Sequence, residues 1–424
     1  MNQKITQIAL WTSRILFGFT FLFSGFVKAV DPMGSSYKFV DYFRAFDLTF
    51  LNDIAIPLAI ILAALEFTIG ASILFGSYRK TSAWSALIFM GFFTPLTLYL
   101  ALKNPVTDCG CFGDALVLSN WETFGKNIVL LLLAIFIFIK REIIRPLFME
   151  SLAWIPTFYA FCFSVGISIA GITNLPILDF RPYKVGVNIE EAMQLPEGTS
   201  TEYILVYEKE GVKKEFTLDN YPADDNSWTF IESKTVLPKG IKQPAIKDFF
   251  LTNENGEIVT QDILLSEGYT FLLLSPDLSI ADVNYIDRIN ETFDYAKENG
   301  YHFYLVTAND TQKLHEWSEG TGAEYPVLFS DITIIETIIR SNPGMVLLHE
   351  GTILWKKSPK EFPTETELNG PLNLSDLGSE EKINVSNVIL SCILIFFAPI
   401  LVILFFEKTI GRFFDRRKKV ISNK

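Results

Sequence analysis

The chain has 424 residues, 49% of them hydrophobic, and its formal net charge is −12. This apolar share is too large for an ordinary soluble protein of two or three domains. The acidic charge, with no basic stripe in the middle of the chain, excludes nucleic acid binding, which needs clustered positive charge. We therefore expect a membrane protein with an acidic domain outside the bilayer.

Six apolar segments are long enough to be membrane-spanning helices, since a bilayer core about 30 Å thick takes about 20 helical residues. They cover residues 8–30, 54–75, 84–102, 124–139, 152–175 and 385–406. The first segment follows "MNQK" closely, but it is too long for a signal peptide and lacks a small-residue cleavage site. We therefore predict six membrane spans.

Basic residues predict the orientation of these spans. "SYRKTS", "IKREIIRP" and the tail "GRFFDRRKKVISNK" all fall on one side of the membrane. Cytoplasmic loops carry the excess of Lys and Arg, so that side and both termini are predicted to be cytoplasmic. The loop "NPVTDCGCFGD" and residues about 178–382 are then periplasmic, and the chain lies in a bacterial cytoplasmic (inner) membrane.

Four charged residues accompany the first two spans. Arg14 and Glu66 lie inside the spans, where a charge is costly unless it is paired, so we predict that they approach each other. A role for Glu66 in proton movement is the alternative. Lys28 and Asp31, in "KAVDP", lie at the outer boundary near the cysteine loop and either lower a thiolate pKa or keep their charges in water.

The segment "TDCGCFGD" between the third and fourth spans contains half of the four cysteines of the chain. Cys109 and Cys111 are separated by Gly110, whose freedom permits the bend that a disulfide between such close residues needs. A small, strained, exposed disulfide is oxidising and labile, which suits a redox couple. A static structural disulfide or turn is the second interpretation.

A metal site is a third and weaker interpretation of this segment. Asp108 and Asp114 flank the cysteines, but structural zinc usually takes four Cys or His ligands. The three histidines of the chain are scattered through the region after the fifth span, so we predict no metal. Cys162 and Cys392 lie inside the fifth and sixth spans, where single cysteines usually serve as small packing residues.

The region between the fifth and sixth spans has two parts. Short alternating runs, "EYILVYEK", "KKEFTL" and "WTFIES", predict a small antiparallel unit. Beyond it, the buried strands "YTFLLLS", "YHFYLVT" and "YPVLFS" alternate with amphipathic helices and are followed by the hairpin "GMVLLHEGTILWK". Strands that alternate with helices predict an α/β layer structure.

This order, with "SNPG" directly before the hairpin, resembles the thioredoxin-like fold over residues about 244–360. Pro343 matches the position where that family carries its cis-proline. The chain has "SPDLSIAD" where thioredoxins carry Cys-X-X-Cys, and no cysteine occurs between Cys162 and Cys392. The resemblance therefore implies a degenerate, non-catalytic domain that docks a partner or has a structural role.

The first four spans resemble the DoxX and MauE membrane family over residues about 8–140. The segments "RILFGFTFLFSGFVKAVDP", "LEFTIGASILFG" and "DCGCFGD" carry the resemblance, in the family's order. It implies a small four-helix membrane protein associated with thiol and disulfide chemistry or with quinone-linked oxidation.

The predicted fold is thus a polytopic α-helical membrane protein with an extracytoplasmic α/β thioredoxin-like domain. Its divisions are a four-helix DoxX/MauE-like domain (1–145), a fifth membrane helix (146–177), a small β-rich segment (178–240), the thioredoxin-like domain (241–370), a sixth membrane helix (383–408) and a basic cytoplasmic tail (409–424).

Two functions follow from this sequence. The first is a membrane thiol-disulfide oxidoreductase with Cys109 and Cys111 as the couple, an extracytoplasmic protein or dithiol substrate as partner, and a quinone docked near spans three and four as one candidate acceptor. The second is a non-enzymatic membrane scaffold or partner-binding protein in which the cysteine pair is a structural disulfide.

Overall fold

The computed structural model describes residues 3–422, except for 107, 195–201, 210–211, 218–227, 237–243 and 248. Six helices in this part of the chain are long and apolar enough to cross a membrane, which confirms the predicted spans. The first 175 residues form α1 (Gln3–Val30), the short α2 (Pro32–Ala45), α3 (Ala55–Phe75), α4 (Arg79–Lys103), α5 (Asn120–Ile139) and α6 (Trp154–Thr173).

Small residues let α1 and α3 pack closely, as they do in many membrane helix pairs. The two helices are antiparallel, and a Cβ atom added to Gly25 would come within 2.5 Å of the Phe67 backbone nitrogen. Gly18 meets Gly70 in the same way further along the pair. The bundle core around this pair contains Phe17, Phe21, Ile73, Met90, Leu130 and Ile137.

Helix α2 is an element that the sequence pattern did not predict. Asp31 caps it by accepting a hydrogen bond from the Gly34 nitrogen at 2.9 Å, and Pro32 occupies the first turn. With 14 residues and few strongly apolar ones, α2 is too short and too polar to appear as a span. It packs against α3 beside the end of α1 and lies next to the cysteine loop.

A three-stranded antiparallel sheet follows α6 and the short helix α7 (Ile189–Met193). Its strands are β1 (Glu202–Lys209), β2 (Val212–Thr217) and β3 (Thr229–Val236), in the order β2-β1-β3. The alternating runs of the sequence correspond to these strands. The connection at 237–243 lies outside the described residues.

The α/β domain is built on a mixed five-stranded sheet. In chain order its elements are α8 (Thr260–Leu264), β4 (Tyr269–Ser275), α9 (Ile286–Glu298), β5 (His302–Thr307), α10 (Thr311–Thr321), β6 (Val327–Phe329), α11 (Ile332–Ile338), β7 (Gly344–His349) and β8 (Thr352–Lys357). The strand order is β6-β5-β4-β7-β8. Strands β4, β5 and β6 are parallel, and β7 and β8 are antiparallel to their neighbours, as the predicted thioredoxin-like arrangement requires.

Both faces of this sheet are covered. Every residue of β4 is buried, as expected for a strand with packed layers on its two sides. One layer includes Ile289, Tyr295 and Trp317 from α9 and α10, and the other includes Ile334, Ile335 and Ile338 from α11. The chain ends in α12 (Val385–Ser422), whose apolar part is the sixth span.

A buried charge cluster joins the segment after α6 to the α/β sheet. Asp179 accepts hydrogen bonds from Arg181 at 2.7 Å and from Lys356 of β8 at 2.7 Å. These two cations, chiefly Lys356, outweigh the effect of burial and lower the pKa of Asp179 to about 2. The fifth span is therefore tied to the α/β domain directly.

Candidate functional site

Cys109 and Cys111 lie in the connection between α4 and α5, and we call residues 108–114 the Cys loop. Both thiols are free, and their sulfur atoms are 3.0 Å apart. Gly110 has φ of +67°, a conformation that favours glycine, and its carbonyl accepts a hydrogen bond from the Gly113 nitrogen at 3.1 Å. The bend that the sequence predicted at Gly110 is present.

Side chains of α1 and α2 hold the backbone of this loop. The Tyr42 hydroxyl donates to the Cys109 carbonyl at 2.8 Å. The Ser24 hydroxyl donates to the Cys111 carbonyl at 2.8 Å, and the Lys28 ammonium donates to the same oxygen. Buried carbonyls that are satisfied in this way fix the orientation of the two thiols.

Glu66 pairs with Lys28, so the predicted Arg14–Glu66 pair is wrong. The Lys28 ammonium lies 2.8 Å from the Glu66 carboxylate, and both side chains are buried. Arg14 instead donates to the carbonyls of Ile73 and Leu74 at 2.9 and 2.8 Å, at the end of α3.

The reason is the register of the two antiparallel helices. Gly18 lies beside Gly70, so Arg14 is level with the last turn of α3. That turn is roughly 12 Å from Glu66 at 1.5 Å per residue, which is beyond the reach of the Arg14 side chain. Free carbonyls at a helix end attract a cation, so Arg14 serves as a C-terminal cap for α3.

Ion pairs with α2 and with the α/β domain also hold the Cys loop. Lys38 of α2 lies 2.6 Å from Asp108. Arg340, which follows α11, lies 3.0 Å from Asp31 and 3.3 Å from Asp114. Asp31 is thus a helix cap and an ion-pair partner rather than a group directed at the thiols.

The environment of the two thiols separates their pKa values. The hydrogen bond to Cys111, together with burial, raises the pKa of Cys109. The same hydrogen bond, with Lys126 and Lys28 nearby, lowers the pKa of Cys111 although burial opposes the shift. These surroundings therefore favour the thiolate at Cys111 over the thiolate at Cys109.

A cavity of about 290 Å³ lies beneath the Cys loop, among the membrane helices. Cys109, Cys111, Lys28, Glu66 and Lys126 face it at its polar end. Its walls are mostly apolar and include Phe21, Phe39, Phe43, Phe89, Phe93 and Leu130. A mostly apolar cavity with a few convergent polar groups is typical of a small-molecule site.

A second cavity, of about 400 Å³, lies on the other face of the loop, between α2 and α11. Its lining is more polar and includes Asp41, Arg44, Glu336 and Arg340. Gly110 and Lys38 line both cavities. The Cys loop therefore separates an apolar cavity among the membrane helices from a polar cleft against the α/β domain.

Several residues of this site were missed from the sequence. Lys126 lies within a membrane span, where its charge was a signal that we overlooked. Tyr42 and Lys38 lie on the unpredicted helix α2, and Arg340 lies in a different domain. Because their partners are distant in sequence, only the tertiary structure brings these four residues together.

The remaining predicted residues lie away from the thiols. Cys162 is exposed on α6 and Cys392 is half-buried on α12. The Asn342–Pro343 peptide bond is cis, as the thioredoxin resemblance implies. Within the described parts of the chain, no three His, Cys, Asp or Glu residues are grouped as metal ligands would be.

Comparisons with known proteins agree with the membrane part of this description. Residues 6–140 match the family "Methylamine utilisation protein MauE", and residues 201–242 match "Domain of unknown function (DUF8463)". No curated protein matches the chain.

Among solved structures, the chain is similar to the solution structure of a candidate protein disulfide isomerase from Bacteroides thetaiotaomicron. The identity is 20%, the TM-score is 0.23, and the match covers 28% of this chain and 77% of the other. This likeness is too low to carry an argument about function. Residues 6–140, which include the first four spans and α2, are therefore similar to the MauE family of membrane proteins.

Proposed function

We propose that this protein is a membrane thiol-disulfide oxidoreductase in which Cys109 and Cys111 are the redox couple. The observation that carries the proposal is the pair of free thiols 3.0 Å apart in a loop whose carbonyls are held from two helices. Such a pair can close to a disulfide with a small movement of the side chains.

The exchange step follows from this geometry. A dithiol substrate attacks the Cys109–Cys111 disulfide through its thiolate, passes through a mixed disulfide, and leaves as a disulfide while both cysteines become thiols. The lowered pKa of Cys111 makes its thiolate the better leaving group. Lys126 and Lys28 stabilise the negative charge that develops there.

The apolar cavity supports a quinone as the electron acceptor. Its aromatic walls fit a flat ring with an apolar tail, and its polar end lies beside the thiols. Phe92 lines the cavity and is 64% exposed on the surface of α4, so the cavity extends toward the lipid. A quinone bound there would take up the two electrons and two protons that are released when the dithiol closes to a disulfide. Lys28 and Glu66 are within the same cavity and can hold or move those protons.

The location of the pair is also part of the proposal. The basic loops favour an orientation in which the Cys loop and the α/β domain face the periplasm of a bacterial inner membrane. Disulfide chemistry persists in that compartment. The relation to DoxX proteins stays a prediction, since the family match is to MauE.

Differential alkylation of isolated membranes tests the proposal. In a Cys162→Ser/Cys392→Ser variant, Cys109 and Cys111 are the only cysteines that the reagent can alkylate. We expect a mass increase of two alkyl groups after treatment with mild reductant and no increase after treatment with mild oxidant. The shift should reverse through repeated cycles. A pair that stays in one state under both treatments would contradict the proposal, and a pair that stays oxidised would support the scaffold with a structural disulfide.

A further inference from the structure

We infer that Arg340 makes the α/β domain a structural part of the thiol site, because it locks the bend of the Cys loop. The effect of Arg340 on the redox equilibrium of the cysteine pair rests on the function proposed above. The sequence suggested only that this domain docks a partner. The contacts of Arg340 give this domain a second role, in which Arg340 positions the cysteine pair.

Arg340 is almost completely buried and bridges two segments of the membrane domain. Its side chain is 5% exposed, and one terminal nitrogen lies 3.0 Å from Asp31 and 3.3 Å from Asp114. The guanidinium also lies 5.2 Å from the centre of the Tyr37 ring. It passes so close to Gly34 that a Cβ atom there would be 2.8 Å from its nitrogen.

The Asp31 contact fixes the helix that holds the first half of the Cys loop. Asp31 caps α2 through the Gly34 nitrogen. From α2, Lys38 binds Asp108 at 2.6 Å and Tyr42 binds the Cys109 carbonyl at 2.8 Å. The position of Cys109 therefore depends on the position of α2.

The Asp114 contact fixes the second half of the loop. Asp114 lies three residues after Cys111 in the 3₁₀ turn Gly113–Ala115, which directly follows the turn closed by the hydrogen bond from the Gly113 nitrogen to the Gly110 carbonyl. Arg340 thus completes a ring of contacts that runs through Asp31, α2, Asp108, the two cysteines and Asp114. This ring adds to the contacts of Ser24 and Lys28 with the Cys111 carbonyl and is the part of the support that comes from the α/β domain.

Without the guanidinium, Asp31 and Asp114, whose side chains are 15% and 40% exposed, would face each other as like charges. Each of these carboxylates acts on Arg340 to favour its charged form, against the opposing effect of burial. Removing the shared cation leaves two unpaired carboxylates, which repel each other and separate the turn from α2. The two thiols would then spend less time within reach of each other.

Two measurements on the full-length protein in detergent, in the Cys162→Ser/Cys392→Ser background, test this inference. The first is the rate at which iodoacetamide alkylates the reduced pair. The second is the equilibrium constant of the pair with glutathione, read by alkylation mass shift. In Arg340→Gln we expect the equilibrium to shift about tenfold toward the dithiol, because the effective concentration of the two thiols falls. We expect alkylation to become about tenfold faster, because a loosened loop gives the reagent better access to the thiols.

Two further variants separate this effect from general damage. Arg340→Lys keeps a cation near both carboxylates and should return both values toward those of the unmodified protein. Arg288→Gln removes an α/β-domain arginine that donates to the carbonyls of Lys360 and Phe362, and it should change neither value.

The inference is overturned if Arg340→Gln keeps the melting temperature, the alkylation rate and the equilibrium of the unmodified protein, or if Arg288→Gln shifts them equally. If Arg340→Gln does not fold, Asp114→Asn decides, since it removes one arm of the bridge and should shift both values in the same direction by a smaller factor. If the unmodified pair never forms a disulfide, the proposed function fails, and the alkylation rates alone still decide the role of Arg340.

Discussion

The two cysteines have identical side chains but different surroundings. The two sulfur atoms share a hydrogen bond that raises the pKa of Cys109 and lowers that of Cys111, and Lys126 and Lys28 also lower the pKa of Cys111. A thiolate is stabilised by a donor and by nearby positive charge, so these surroundings favour a thiolate at Cys111 over one at Cys109. The hydrogen bond between the two sulfur atoms and the cations Lys126 and Lys28 therefore distinguish two chemically identical side chains.

At the residue scale, we predict that Cys111 remains reactive to lower pH than Cys109. The thiolate is the reactive form and is lost as the pH falls through the pKa, so the thiol with the lowered pKa keeps its reactivity longer. Lys126→Gln should raise the midpoint of Cys111 by about one pH unit, because a stabilising cation is removed. The measurement is alkylation against pH, with peptide mass spectrometry to separate the two sites.

Lys103→Gln is the matched control for this substitution. Lys103 lies in the last turn of α4, is exposed, and is not among the groups that shift the pKa of Cys111. An equal midpoint for Cys111 in the Lys126→Gln and Lys103→Gln variants would contradict the role given to Lys126.

Close packing of α1 against α3 sets the distance between Lys28 and Glu66. Gly25 lies one turn before Lys28 and touches the backbone of α3 at Phe67, next to Glu66. Backbone atoms cannot move aside as a flexible side chain can, so this contact tolerates no larger residue. The buried ion pair beneath the Cys loop therefore depends on a glycine in the helix contact.

At the element scale, Gly25→Ala should destabilise the membrane domain by about 1 to 3 kcal/mol, the usual range for overpacking a dense core. Gly91→Ala is the control, since nothing lies within 4 Å of a Cβ atom added at that position. Thermal unfolding in detergent, followed by tryptophan fluorescence, compares the two variants. Equal melting temperatures for both would show that α1 and α3 are not packed as described.

Two charge clusters hold the α/β domain, one to the membrane domain and one to the segment that follows α6. One is the bridge from Arg340 to Asp31 and Asp114, and the other joins Asp179 to Arg181 and Lys356. Burial, opposed in part by Asp179, lowers the pKa of Lys356 to about 7. Keeping Lys356 charged in this cluster therefore costs desolvation free energy. Asp179 is the only anion of this cluster in the described contacts, so its removal leaves the charges of Arg181 and Lys356 unpaired.

At the scale of the whole molecule, Asp179→Asn should destabilise the α/β domain by about 3 to 5 kcal/mol, the range for breaking a buried ion pair on one side. The stabilisation by Asp179 is complete above its unfolded pKa of about 3.9 and declines as the pH falls toward 2. Unfolding by urea at pH 7 measures the loss. Glu254→Gln, at an exposed loop position, is the control and should leave the midpoint unchanged.

The six spans and most strands and helices of the α/β domain were predictable, because each depends on a local pattern of apolar residues. The family match over residues 6–140 confirms the MauE part of the resemblance that the first spans suggested, while the DoxX part stays a prediction. Helix α2 was missed, since a short helix with a weak apolar face has no clear local signal. The Cys loop was found because Cys-Gly-Cys is itself a local motif.

The sequence by itself determined the membrane architecture, the layers of the α/β domain and the position of the cysteine pair between two spans. Only the tertiary structure decided the partners of each charge. Lys28 and Glu66 are 38 residues apart, and Arg340 is 309 residues from Asp31 and 226 from Asp114. Side chains this far apart meet through helix register and domain docking, which depend on packing over the whole chain and leave no local pattern in the sequence.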